Sequence, residues 1–499
     1  MAGLIYAPSR CGNAIWARAG LLLALVGATA LAQTPSAEVH KFIAYDDAVI
    51  ALTHVRVIDG TGAPAQENRT VVLRQGKIAS ISDEAAAPPD GARVIDLAGH
   101  SVIPGLVGMH DHLMYTASIN FDEDNKIPPP GFLVTELAFS APRLYLASGV
   151  TTMRTTGSIE PYTDLNIRHL IDDGKMPGPH IDVSGPYLEG KDSFFPQMAV
   201  LTDPEQARKT VAFWAGQGVT SFKAYMDIGE AVLGAAIKEA HRQGMKITGH
   251  LCSVDYRQAA ALGIDDLEHG PIYTDSEFVR ERKHDVCPSG SAQAASWEKR
   301  EIDSAPVQDL IRDLVKHNVA VTSTLPVFEA SITSRPLLSK RQTQMMSAES
   351  LRSHLNARAM AATTPDRAAK NEAALKKEMA FELAFARAGG LLLAGPDPTG
   401  NGGVLPGFGD QREVELLVEG GFTPLEAIHI VTANGARYEK QLDRIGTIAP
   451  GKNADLVVLK GDPSQRIQDI ENVELVFKDG IAYDPAKLIH SVSGMVGIR

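Results

Sequence analysis

Eight short apolar segments, each followed by a stretch of helical composition, run through the middle of this chain. They are "VIPGLVGMH", "GVTTMRTTG", "PHIDVSGPY", "GVTSFKAYM", "GMKITGHLC", "IDDLEHG", "VAVTSTLPV" and "GGLLLAGPD". Strands that alternate with helices argue for βα units around a parallel sheet. Eight such units predict an α/β fold of the TIM-type (β/α)8 barrel class, with its chemistry at the C-terminal ends of the strands. The length of 499 residues leaves room for a further small domain.

That domain is predicted from both chain ends. Short alternating segments such as "IALTHVRVIDG" and "RTVVLRQGKIASIS" precede the barrel, and "GTIAPGKNADLVVLKGDP" and "VELVFKDGIAYD" follow it. The expected division is a β-sandwich from 40–103 and 443–490 and a barrel over 104–442. Within the barrel, Asp203, Pro204 and Gln206 open a helix that Gly218 closes, and Thr423, Pro424 and Glu426 repeat the opening. The Ala-, Lys-, Glu- and Arg-rich stretch 328–382 reads as an extra helical excursion after the seventh strand, either a lid or a solvated surface.

At the N-terminus, Arg10 and Arg18 precede the apolar run "AGLLLALVGATALA", which ends in Ala30-Leu31-Ala32. This reads as a signal peptide over 1–32, because the run is shorter than the ~20 apolar residues of a spanning helix and polar sequence follows at once. An exported protein, periplasmic or secreted, with no membrane association after cleavage, is the expectation. Cleavage would take the formal charge from -12 to -14, and that balance, with no clustered Lys and Arg, argues against nucleic acid as a partner. Small molecules are the expected partners, and a homo-oligomer stays open. Cys252 and Cys287 then remain, as one disulfide or as two free thiols.

The chemistry gathers at the strand ends. Residues two apart in a strand point to one side, so His110 and His112 converge at the end of the first barrel strand. Lys223 lies on the fourth, His250 ends the fifth, His269 the sixth and Asp397 the eighth. Singly, these are a snorkelling lysine, satisfied histidines and a helix cap. Together they aim six groups at one mouth.

In this order and spacing the six residues, with the tail "FTPLEAIHIVTANGARYEKQLDRIGTIAPGKNADLVVL", resemble the amidohydrolase superfamily over nearly the whole mature chain. The resemblance implies two divalent metal ions, with His110, His112 and Asp397 on one and His250 and His269 on the other. It also implies that carbon dioxide adds to Lys223, whose carbamate bridges the ions. Imidazole and carboxylate donors suit zinc, and carbamylation needs the neutral amine that burial favours. The implied reaction is hydrolysis of an amide, peptide-like or N-acyl amino acid, by a hydroxide shared between the ions, with Asp397 as general acid and base. The alternatives are a cyclic amide, imidazolone or lactone hydrolase on the same site, a mononuclear deaminase, and a non-catalytic metal-binding protein of the same fold.

"GVTTMRTTG" and "FKAY" resemble the exported branch that contains prolidase-like dipeptidases and ochratoxinase-like amide hydrolases. That likeness makes Arg154 and Tyr225 candidates for a substrate carboxylate or the scissile oxygen. Tyr187 and Glu189 in "SGPYLEG", and Tyr115 beyond the histidine pair, are further candidates. Thr155-Thr156-Gly157 departs from the Asp-Leu-Gly that often follows the second-strand arginine in that branch.

Overall fold

The computed structural model describes residues 34–83, 87–114, 136–191, 193, 196–336, 338–398 and 402–498. The stretch read as a signal peptide and Tyr115 lie outside them. No described helix is long and apolar enough to cross a membrane.

All eight expected barrel segments contain strands: β1 (Leu106–Asp111), β2 (Val150–Thr155), β3 (His180–Val183), β4 (Ser221–Ala224), β5 (Lys246–Gly249), β6 (Asp266–Glu268), β7 (Ala320–Ser323) and β8 (Leu392–Ala394). They run in parallel in two arcs, β1 to β3 and β4 to β8. The arcs meet where Ser184 bridges Ser221 and Thr220 N donates to Val183 O at 2.8 Å. On the other side Asp397 N donates to His110 O at 3.0 Å. The strand backbones approach so closely there that a Cβ on Gly395 would overlap the His110 main chain, which is why a glycine must follow β8.

The expected helix signals operate as local chemistry. Asp203 accepts from the amides of Glu205 and Gln206 at 2.9 and 3.0 Å, satisfying donors with no partner inside the helix Pro204–Gln217. Gly218 ends that helix with φ 99°, a conformation that only glycine takes at little cost. Thr423 and Glu426 form a reciprocal capping box at the start of Pro424–His429. Between β7 and β8 lie four helices, Leu325–Glu329, Lys340–Thr343, Ala348–Ala362 and Pro365–Arg387, so the helical excursion is real. It is pinned by Arg335, whose guanidinium reaches Glu372 at 2.8 Å and Glu419 at 2.7 Å.

Strands from both chain ends share one nine-stranded sheet. The strand His100–Pro104 pairs with Val49–Val57 on one edge and with Leu456–Lys460 on the other. The sheet then curls until Ile78 N donates to Lys452 O at 2.9 Å and Gly451 N donates to Ile78 O at 2.8 Å. Ile50, Leu52, Val55, Val71, Ile78, Val102, Leu456, Val458 and Phe477 fill the space enclosed. Alternation along each strand sends these residues into that space, while Ile103, Val457, Leu459 and Val476, on the opposite face, are buried in the main core.

Candidate metal centre

The ends of the barrel strands bring all six expected donors together, the half-buried His250 among them and the other five buried. His110 and His112 emerge from β1 with ring centroids 5.4 Å apart, and His269 lies 4.6 Å from His110 and 4.3 Å from His250. Asp397 Oδ1 stands 3.1 Å from His112 Nε2 and 3.5 Å from His110 Nε2, and Asp397 Oδ2 is 3.8 Å from His269 Nδ1. His110, His112 and Asp397 each present a donor atom within 4.8 Å of the others. Lys223, 1% exposed, reaches the same space, with Nζ 3.1 Å from His110 Nε2.

Two of these residues hold costly backbone conformations. His269 has φ 71° and Asp397 φ 55°, left-handed values that cost a non-glycine residue ~1–3 kcal/mol. Each follows its strand within three residues, and the reversed φ swings its side chain back over the barrel mouth. Strain of this kind persists where the surrounding structure determines a geometry more strongly than local preference does.

Burial sets the protonation states. Burial, then the Lys223 cation, pushes His110 and His250 well below the ordinary imidazole range. Burial, then His250 and His110, does the same to His269. The three imidazoles are therefore neutral and carry lone pairs. Burial also lowers Lys223 to about 8, against the pull of Glu268 and Asp397. For Asp397 burial acts in the raising direction, but His110, His112 and Lys223 outweigh it and hold the carboxyl at about 2.

Beneath the cluster lies a polar layer that the sequence reading missed. Glu268 Oε2 accepts from His110 Nδ1 at 2.6 Å, and its other oxygen takes hydrogen bonds from Thr248 and from Arg154 Nη2. Asp266 Oδ2 accepts from Arg154 Nη2 at 2.7 Å and Thr322 Oγ1 at 2.8 Å. The signal was present in "DDLEHG": Asp266 and Glu268 are two apart in a strand and so share the inward face. Thr324, 2.8 Å from His269 Nδ1, and Tyr145, whose hydroxyl donates to His112 O at 3.0 Å, were also missed. Each is remote in sequence from the histidine it holds.

The expectation that Arg154 binds a substrate carboxylate is corrected. Arg154 is 1% exposed. It donates through Nε and Nη2 to Met109 O at 3.0 and 2.7 Å, spans Asp266 and Glu268, and lies 5.1 Å from the centre of the Tyr438 ring. Its place on β2 sends it into the barrel interior below the donors, where the two carboxylates neutralise it.

Tyr187 and Tyr225 do stand at the cluster. Their rings meet edge to face at 5.1 Å, Tyr225 packs on His250 at 4.8 Å, and the Tyr187 hydroxyl is 3.5 Å from His112 Nε2. Gly157, the position that Thr155-Thr156-Gly157 shares with Asp-Leu-Gly, has φ 81°, and a Cβ there would lie 2.6 Å from the Tyr187 ring. Burial keeps the Tyr225 phenol neutral and able to donate. Glu189 instead accepts from the amides of Gly190 and Asp227 at 2.6 and 2.7 Å, bracing two loops. Phe328, from the helical excursion, stacks on Tyr273 at 3.5 Å and abuts His269 at 5.9 Å. Cys252, two residues beyond His250, is disulfide-bonded to Cys287.

The residues present fit metal. His269 Nε2 is buried with no hydrogen-bond partner among the described residues, while its Nδ1 is occupied by Thr324. His110 likewise spends Nδ1 on Glu268 and keeps Nε2 toward the cluster. Three buried carboxylates, Asp266, Glu268 and Asp397, lie close together with Arg154 and Lys223 among them, a setting in which a further cation is favourable.

The amidohydrolase family profile matches residues 101–482. Adenine deaminase 2 of Jannaschia sp. (strain CCS1) is 38% identical over 75 residues, which is 15% of this chain and 12% of that protein. The match thus spans about an eighth of that curated relative. Among solved structures, a Xaa-Pro dipeptidase with methionine bound in its active site superposes with a TM-score of 0.63 at 20% identity, covering 87% of this chain and 100% of that one. Ochratoxinase of A. niger superposes with a TM-score of 0.59 at 18% identity, covering 87% and 95%. At these identities the likenesses show a common fold.

Proposed function

The chain belongs to the amidohydrolase family, and from that premise we propose that it is a metal-dependent hydrolase that cleaves a C–N bond of a peptide-like or N-acyl amino acid amide. The observation that carries the reading is one barrel mouth holding His110, His112, Asp397, His269 with its unpartnered Nε2, and Lys223 at a lowered pKa. His110, His112 and Asp397 would hold one divalent ion and His250 and His269 a second, and Lys223, carrying carbon dioxide as a carbamate, would bridge them. Zinc suits this nitrogen and oxygen donor set. When bound, such ions polarise the scissile carbonyl and make water nucleophilic near neutral pH.

The side chains divide the remaining work. Asp397, ionised at neutral pH, accepts the proton that water gives up as its oxygen attacks the carbonyl carbon. It passes that proton to the nitrogen as the C–N bond breaks, so acid and amine leave with atoms and charge balanced. Glu268 holds His110 in the tautomer that leaves Nε2 free for the cluster. Tyr225 and Tyr187 offer phenol donors beside it, and Phe328 with Tyr273 supplies an aromatic wall for the acyl group or leaving group. The Cys252–Cys287 disulfide supports the further reading that the chain works in an oxidising compartment outside the cytoplasm.

The test is purified protein, stripped with chelator and reloaded with zinc, assayed against dipeptides, N-acyl amino acids, cyclic amides and lactones. Zinc-dependent release of free amine from acyclic amides is the expected result. Ring opening without any acyclic turnover would replace this reading with that of a cyclic-amide or lactone hydrolase. Ammonia release from an aminopurine would replace it with a deaminase.

A further inference from the structure

His180, Asp455 and Asp479 meet at the opposite end of the barrel from the imidazole cluster. His180 is the first residue of β3, Asp455 immediately precedes the sheet strand Leu456–Lys460, and Asp479 sits at the turn between Val473–Lys478 and Ile481–Tyr483 with φ 52°. The trio therefore joins the barrel floor to strands that the C-terminal end of the chain contributes to the nine-stranded sheet. One donor atom from each residue lies within 4.8 Å of the other two.

The partners of these atoms are incomplete. Asp455 is 5% exposed; its Oδ1 accepts from Asp479 N at 2.7 Å, while its Oδ2 is buried and has no hydrogen-bond partner among the described residues. His180 Nε2 is also buried and lies 3.0 Å from Asp479 Oδ2, yet it does not meet hydrogen-bond geometry. The Lys478 ammonium stands 3.4 Å from Asp479 Oδ2. An unpartnered buried carboxylate oxygen is costly unless a cation or a donor meets it.

We propose that His180, Asp455 and Asp479 form a structural divalent-cation site, separate from the catalytic donors, that clasps the barrel to the sandwich sheet. One imidazole nitrogen and two carboxylate oxygens, with water as a fourth ligand, make a donor set of zinc type. Bonds of ~2.0–2.2 Å in a tetrahedral site place ligand atoms roughly 3.3–3.6 Å apart, so the His180–Asp479 pair at 3.0 Å would part slightly and Asp455 would draw in from within 4.8 Å. Asp455 Oδ2 gains the partner it lacks, and a lone pair on His180 Nε2, 3.0 Å from Asp479 Oδ2, gains a Lewis acid to bind. The ion takes no part in the hydrolysis.

The experiment uses a His110→Ala/His112→Ala background, in which catalytic binding is weakened, and adds Asp455→Asn or His180→Gln to it. Chelator-treated proteins are dialysed against zinc, bound metal per chain is measured, and Tm is read with and without zinc. The background protein is expected to bind one zinc per chain more than either triple variant and to gain Tm with zinc; each triple variant should need about tenfold or more zinc for the same gain. His180→Gln alone should leave hydrolytic activity unchanged, which separates this site from the catalytic one. His180 is partly exposed, so that variant tests the site even if Asp455→Asn does not fold. Equal zinc content and an equal Tm gain in background and His180→Gln proteins would overturn the proposal and leave a simple His–Asp ion pair.

Discussion

His110 donates its Nδ1 proton to Glu268 Oε2 across 2.6 Å, and both side chains are fully buried. The pair ties β1 to β6 and decides which nitrogen of His110 faces the cluster. Glu268→Gln keeps the size and removes the charge, which weakens the ring's basicity and the hold on its tautomer. Metal affinity is expected to fall ~10–100-fold, read by competition with a chelating dye. An unchanged affinity would show that Glu268 only fills space.

Arg154 makes a contrasting case, because it neutralises Asp266 and Glu268 from below without reaching substrate. Arg154→Met is expected to destabilise the fold by ~3–5 kcal/mol, the usual cost of stranding buried charge partners, measured by denaturant unfolding. The ratio of kcat/KM for a free-acid substrate and its amidated version should stay as in the parent. A selective loss on the free acid would put Arg154 back at the mouth.

Lys223→Ala removes the proposed bridge and the 3.1 Å contact to His110 Nε2. Metal content and activity are expected to fall together, with partial return when a short carboxylic acid is added to occupy the vacated space. Full activity in the unrescued variant would remove Lys223 from the site.

For Asp397→Asn, kcat is expected to drop ~10² or more, because general acid–base catalysis contributes typically 10²–10⁴ and an amide cannot carry the proton. Metal content measured on the same sample separates lost proton transfer from lost binding. A kcat unchanged at saturating substrate would exclude Asp397 as the proton carrier.

Asp164 gives a pH signature away from the centre. Burial, only partly offset by the Ser158 hydroxyl, raises its carboxyl to about 7. The folded protein keeps this proton while the unfolded chain releases it near the ordinary carboxylate value of ~4. The unfolded state therefore binds fewer protons between these values, and stability falls as pH rises from ~4 to ~7 and then levels. Asp164→Asn is expected to flatten Tm across that window; a parallel curve in the variant would assign the slope to other buried acids.

The sequence by itself determined the βα alternation and the strand-end placing of six candidate donors, because both depend on local rules. Period-2 alternation places His110 and His112 on one side of β1, and strand-end position aims Lys223, His250, His269 and Asp397 at one mouth. The likeness of "GVTTMRTTG" to the prolidase-like branch put Arg154 at the substrate, and alternation could not correct it, since it says that a side chain points inward but not at what depth along the barrel it stops or which charges it meets there. Its partners Asp266 and Glu268 are more than 100 residues away. The tertiary structure alone decided that Glu268 orients His110, that Thr324 occupies His269 Nδ1, that Gly157 makes room for Tyr187 and that Cys252 reaches Cys287. It likewise brought His180 to Asp455 and Asp479 from the far end of the chain. Each of these contacts exists only once the strands close into a barrel and the two chain ends share a sheet, which sets the distances that periodicity leaves free.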